Sequence, residues 1–516
     1  MTFHRTRRGF LADVGRGVLT AAVGAEIAGE LGLGSVLAEE VPESLSFGSL
    51  ERLVCLMQET PADRLLPALV AQLRSGTDLR KLTAAAALAN ARTFGGEDYV
   101  GFHTLMALSP AYHMSQELPA ESQALPVLKV LYRNTSRIQE KGGRKSEVLH
   151  PVAVKEGQGK QSLRDAVRSQ DMEGAEATFA RLAQGGAEEA FNQVLQAVHD
   201  ETEVHRVVLP YRAWDLLDIV GREHAHTLLR QSVRYCVKAE AWPQSAHGQH
   251  RVLLPKLMEE HHLVDRSPGT REPDDAWMEQ FIQTLFKSTA EQAAVAAATA
   301  LAEGIAPAAI GEAISLTANQ LILRDHGRPP REESPGKPPG SVHGDSIGVH
   351  ASDSANAWRN MARVANARNA FASLILGAYQ VAHDRTNRGG DFVNWEPLPV
   401  KQHLNSVKSA DAEGLLRETE EAIRANMQGH AAAIVHRYGA AGHSERPMFD
   451  LLLKYAVSED GSLHAEKYYR TVSEEFRNGR AAYRWRHLIG LARVTASEYG
   501  RPAAGMAEAR SLLRAA

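Results

Sequence analysis

The sequence predicts an all-α protein built from two packed multi-helix lobes, with a helical-repeat, α-solenoid-like arrangement as the alternative. Three observations carry this. Apolar residues recur at three- and four-residue spacing, alternating strand patterns are nearly absent, and proline- and glycine-rich breaks separate the periodic stretches. Leu65, Leu66, Leu69, Val70 and Leu73 form one apolar stripe, and Phe281, Ile282, Leu285 and Phe286 form another. Ala290 to Ala302 is alanine-rich, a strong helix former that lets neighbouring helices approach closely. The periodicity predicts roughly fifteen to twenty helices.

Proline and glycine between Gly327 and Gly344 are too dense to continue a helix. Residues 327–346 are therefore read as a long loop between an N-terminal lobe (39–326) and a C-terminal lobe (347–516). A second polar break is expected over Gln139–Ser162. The chain of 516 residues exceeds what one core usually organises, which agrees with two lobes. A short internal echo links Tyr99-Val-Gly-Phe-His103 with Ser346-Ile-Gly-Val-His350, each after an alanine-rich stretch. Chance, shared helix-start chemistry and duplication all account for it.

Hydrophobic residues at 44% and charged residues at 23% describe an ordinary globular protein. A formal charge of −4 and the lack of a basic stripe argue against a nucleic-acid partner. The run Lys141 to Lys145 reads as a solvated loop. With only Cys55 and Cys236, a thiolate zinc cluster, a cysteine-rich iron–sulfur site and c-type haem attachment are excluded, and Cys236 reads as a buried small hydrophobe. The chain has no His-Glu-x-x-His, no Gly-x-Ser-x-Gly elbow, no phosphate loop and no dinucleotide fingerprint.

Thr6-Arg7-Arg8-Gly9-Phe10-Leu11 resembles the twin-arginine export motif. The apolar stretch from Gly17 to Leu37 carries Glu26 and Glu30, which would be costly in a permanent membrane helix. Val36-Leu37-Ala38 suits a signal peptidase. Residues 1–38 are thus expected to be a removable signal peptide, leaving a periplasmic or otherwise exported protein that starts at Glu39 and has no membrane span. Substrates of this route cross folded, many with a cofactor already inserted, which points to a metal or redox cofactor.

Twenty-two histidines supply many neutral imidazoles, a common ligand for iron, copper and zinc. If a helix runs through Val198–His205, His199 pairs with Glu203 and Glu201 with His205 at four-residue spacing. Glu223-His224-Ala-His226 and the His343/His350 spacing are further candidates, and Glu259 with His262 is a Glu-x-x-His unit of the kind used by di-iron bundles.

Four segments carry a family resemblance: Gly101 to His113, Val204-His205 through Glu223-His224, Val349-His350 to Trp358, and Leu463-His464 to Tyr469. They resemble the histidine-centred segments of a poorly characterised bacterial helical family, some members of which are fused to Rieske-type ferredoxin domains. More remotely, the chain is similar to the questin-oxidase-like proteins, associated with oxygen-dependent ring opening. The resemblance implies an oxidoreductase acting on a small aromatic substrate, with site residues His103, His113, His205, His224, His350 and His464. The Rieske cysteines are absent, so it also implies a separate electron donor. As ligands these imidazoles would hold iron, copper or zinc, with Glu203 or Glu223 as a further ligand or as acceptor for a ring N–H. Without a cofactor, His350 or His205 would be the general base that deprotonates a phenol. The competing reading is a non-catalytic helical scaffold that binds a protein or carbohydrate partner.

Overall fold

A computed structural model describes residues 44–152, 161–242, 249–387 and 390–514. The expected signal peptide and its junction at Ala38 lie outside them. Among the described residues the protein is all-α, with 23 α-helices and only three isolated β-bridges. None of these helices is long and apolar enough to cross a membrane.

The predicted stripes are the buried faces of their helices. Leu65, Leu66, Leu69 and Val70 are buried on Ala62–Arg74, and Phe281, Ile282, Leu285 and Phe286 on Asp275–Lys287. The alanine-rich helix spans Ala290–Ala302, and the side chains of Thr289 and Gln292 form a reciprocal capping box at its start. The helix count exceeds the expected range partly because elements such as Leu163–Arg168 and Lys401–Ser406, six residues each, are too short to show a period. Cys55 and Cys236 are both free thiols, and burial pushes that of Cys236 up to about 11.

Eight helices position the site: α1 (Leu79–Phe94), α2 (Tyr99–Ser115), α3 (Val204–Val220), α4 (Ala225–Ala239), α5 (Pro307–Arg324), α6 (Ile347–Val364), α7 (His464–Asn478) and α8 (Trp485–Glu498). The helices α2, α3, α6 and α7 close a four-membered ring, each packed on the next. They run parallel, because contacts advance in the same direction along both members of a pair. From His103 and His205 they progress to Ser109 and Asp215, and from His350 and His464 to Asp353 and Thr471 and then to Asn356 and Glu475. Parallel neighbours need long crossovers, which explains why the four lie a hundred or more residues apart.

The packing of α1 to α4 is repeated by α5 to α8. In each set the first helix lies on the second, the second on the third, the third on the fourth, and the fourth on the first. The internal echo falls at equivalent places, the starts of α2 and α6, and this favours duplication over chance. Between α5 and α6 the proline-rich loop is well tethered: Arg328 pairs with Asp345 at 2.6 Å, and His343 bonds Ser497 Oγ and the Gly336 carbonyl, both at 2.8 Å. The buried apolar residues form one contiguous core from Leu45 to Ala509.

Each echo glycine marks a close approach two residues before a histidine. A Cβ on Gly101 would sit 2.5 Å from the Phe94 ring, and one on Gly348 only 2.8 Å from the Ile322 backbone nitrogen. Backbone cannot rotate aside, so Gly348→Ala must push α6 away from α5. We expect a loss of about 1–3 kcal/mol, read as a lower urea midpoint. A wild-type midpoint would mean that the two helices part freely.

A four-histidine candidate site

The first or second turn of each ring helix carries one histidine: His103 on α2, His205 on α3, His350 on α6 and His464 on α7. Asp98 caps α2 by accepting from the Gly101 N–H, and Arg137 clamps that carboxylate at 2.7–2.8 Å. Glu203 caps α3, accepting from the His205 and Arg206 amides. Leu463, in the left-handed conformation (φ 67°), turns the chain into α7. Because the helices are parallel, these starts share one end of the bundle and the four rings meet there.

They meet through their Nε2 atoms. His103 Nε2 lies 3.2 Å from His205 Nε2, and His350 Nε2 lies 3.1 Å from His464 Nε2. Across the two pairs, ring centroids are 5.3 Å apart for His103 and His464 and 5.8 Å for His205 and His350. Among the described residues, no three His, Cys, Asp or Glu side chains already enclose one metal-sized centre; the donors stand as two pairs.

The second nitrogen of three rings fixes the tautomer. Nδ1 of His103 faces the Tyr99 carbonyl at 2.7 Å, Nδ1 of His464 faces the Ser462 carbonyl at 3.0 Å, and Nδ1 of His205 faces Glu203 Oε1 at 2.6 Å. Carbonyl and carboxylate oxygens can only accept, so each Nδ1 carries the proton, and in a neutral ring Nε2 is then a bare lone pair. Thus His103 and His205 point two lone pairs at one another.

His103 and His464 are each 3% exposed, whereas His205 and His350 are half-buried and open the cluster to solvent. Burial, followed by the Lys467 ammonium and the neighbouring imidazoles, holds His103 and His464 well below the usual histidine range. Burial would raise Glu203, but His205 and the two capped amides outweigh it and hold the carboxyl down to about 2. Tyr235 donates its hydroxyl to Glu203 Oε2 at 2.8 Å, completing a Tyr–Glu–His chain. The Tyr99 ring, 56% exposed, lies 4.4 Å from His103, and Phe102 lies 5.1 Å from His205. One wall of the cluster is therefore aromatic.

The other two expected histidines do not join. His113 lies ten residues along α2, about 15 Å away by helical rise, where burial and Arg470 lower it to about 4. His224 sits in the turn Arg222–His224 with its ring against Phe47, and Glu223 is exposed beside it. The spaced pairs expected on one helix through 198–205 do not form either. The helix Ala187–Val198 stops, Glu203 caps the next one, and His199 turns to Ser373 at 3.2 Å. His262 follows the end of its helix with φ 52°, so Glu259 and His262 share no helical face. Tyr235, Lys467 and the Tyr99 and Ser462 carbonyls were not anticipated. Only Glu203 had a local signal, an acidic residue directly before a helical run.

No family model matches this chain, and neither a curated protein nor a solved structure matches it.

Proposed function

We propose that the four-histidine cluster holds a transition-metal ion and that the protein is an oxidoreductase, oxygen-dependent and directed at a small aromatic substrate. The observation that carries the metal is the His103–His205 pair. Two bare lone pairs 3.2 Å apart repel unless a cation lies against both. The spacing is that of two imidazoles on one ion: nitrogens about 2.0–2.1 Å from a tetrahedral metal are about 3.3 Å from each other. Carbonyl and carboxylate acceptors on the remote nitrogens are the usual support for metal-binding histidines.

Four helix N-termini converge here, and their dipoles oppose any positive charge. A metal would thus be held by coordination and by the Glu203 carboxylate. The same field favours an anionic oxygen beside it, such as a phenolate. Neutral nitrogen ligands suit iron, copper and zinc, and for an oxidoreductase iron or copper would supply the redox chemistry. His205 and His350, on the open side, would face substrate, with Tyr99 and Phe102 as a stacking wall. The electron donor would be a separate protein, and export by the twin-arginine route would place the reaction in the periplasm.

A second reading rests on Glu203. A proton instead of a metal can bridge the pair if His205 is an imidazolium paired with that carboxylate. His205 would then be an acid–base group of cofactor-free chemistry. Elemental analysis of protein purified without chelator separates the two. The metal reading expects near-stoichiometric iron, copper or zinc, removable by chelation and restored on adding the ion. Metal-free protein that takes up none of the three would sink it.

A further inference from the structure

A second cluster lies apart from the histidines of the bundle. Ser406 ends the short helix Lys401–Ser406, and its hydroxyl is 3.0 Å from Nδ1 of His430 on the helix Gln428–Ala440. The other nitrogen of that ring, Nε2, is 3.1 Å from Oε1 of Glu418 on the helix Ala412–Arg424. Glu418 is itself fixed: the Lys408 amide donates to Oε1 at 3.0 Å and the Ser409 amide to Oε2 at 2.9 Å. Burial acts to raise its pKa, but these amides and His430 hold the carboxyl below its ordinary range.

The polarity of the chain follows from the acceptor at its end. A carboxylate accepts only, so Nε2–H of His430 donates to Glu418, and Nδ1 of the neutral ring is left bare toward the serine hydroxyl. Ser406 is exposed, whereas the His430 and Glu418 side chains are 13% and 11% exposed. A nucleophile at the surface, a base within hydrogen-bond reach and a buried carboxylate orienting the base are the three parts of an activated serine. The roles of the two ring nitrogens are exchanged relative to the chymotrypsin arrangement, which alters the direction of approach and not the proton chemistry.

We propose that Ser406 is a separate nucleophilic centre, activated by His430 and oriented by Glu418, that accepts acyl groups from accessible carboxylic esters. Ser406 Oγ forms a bond to the ester carbonyl carbon while its proton passes to His430 Nδ1. The alcohol leaves and takes that proton, giving an acyl-serine. Water, deprotonated by the same nitrogen, then attacks the acyl carbon, and the acid and free serine are released. The step consumes one ester and one water and needs no oxidant. In the resting protein the hydroxyl donates its single proton to the His403 carbonyl at 2.7 Å, so the O–H must rotate onto His430 Nδ1, 3.0 Å away, before attack.

The test uses the full chain, a fluorophosphonate probe and p-nitrophenyl acetate, with the labelled residue located by peptide mass spectrometry. Labelling is expected at Ser406 and should vanish in Ser406→Ala. It should slow at least about 100-fold in His430→Gln, the usual contribution of a general base. Glu418→Gln, which removes the negative charge facing Nε2, should slow it at least tenfold with an unchanged helical circular dichroism spectrum. Ser406 labelling no faster than in heat-denatured protein would overturn the proposal. So would labelling at equal rates in wild type and in folded Glu418→Gln, because Ser406 would then be merely exposed.

Discussion

Replacing His205 with alanine is expected to remove most of the bound metal, lowering occupancy at least tenfold after dialysis, and His103→Ala should do the same. The reason lies in how these rings are held. Each has its proton held on Nδ1 by an oxygen that can only accept, so in the neutral ring its Nε2 lone pair faces the other histidine. The His350–His464 pair is less diagnostic, because one neutral ring can donate Nε2–H to the other at 3.1 Å and satisfy both. His113→Ala and His224→Ala remove histidines that do not reach the cluster, and should leave occupancy at the wild-type level. Glu203→Gln keeps an acceptor oxygen but loses its charge, and should weaken binding about 10- to 100-fold, the range seen when supporting partners of metal-bound histidines are changed. Element analysis reads all five variants. Equal metal in His205→Ala and His113→Ala would remove the cluster from consideration as a metal centre.

Much of this architecture was legible in the amino-acid sequence, and the unreadable part has a physical cause. Local periodicity reports which face of a helix is buried, so the stripes of Ala62–Arg74 and Asp275–Lys287 and the break before Ile347 could be read directly. The meeting of His103, His205, His350 and His464 could not. It depends on four parallel helices closing a ring over more than 350 residues, and spacing along the chain carries no trace of that. The four-segment resemblance named them but added His113 and His224 with equal weight. The pairing of Glu203 with His199 fails because no unbroken helix crosses 198–205, whereas Glu203 as acceptor for a ring N–H agrees with its contact to His205 Nδ1. There the backbone leaves the helix at His199, and the carboxylate caps α3 instead of facing His199. Even so, the echo between Tyr99–His103 and Ser346–His350 was a real trace of the site, since it fell on two of the four convergent positions.

A buried ion pair beside the cluster should carry an effect as large on stability. Lys129 is 6% exposed, and its ammonium is 2.6 Å from Oε1 of Glu466, two residues after His464; it also donates to the carbonyls of Ala456 at 2.9 Å and Glu459 at 2.6 Å. Among the described residues, Glu466 has no hydrogen bond to any other group. Lys129→Met therefore strands a fully buried carboxylate, and should cost about 3–5 kcal/mol, the usual penalty for removing one member of a buried pair. Nearby Glu498 sharpens the expectation. Burial pushes it up to about 8, with Glu466, Asp460 and Glu459 adding to that rise and Lys129 opposing it. In the variant Glu498 loses the ammonium that opposes this rise, so the folded state holds its proton to a higher pH still. The native state then binds more protons from the ordinary carboxylate range up to the raised pKa, so stability falls as pH rises through that window. The wild type shares that fall up to about 8, so the deficit of Lys129→Met should grow as the pH rises beyond about 8, measured as the shift in urea midpoint. Adding Glu466→Gln removes the stranded charge and should recover most of the loss at pH 8. A deficit that is independent of pH and untouched by Glu466→Gln would show that Lys129 stabilises the fold through its carbonyl contacts alone.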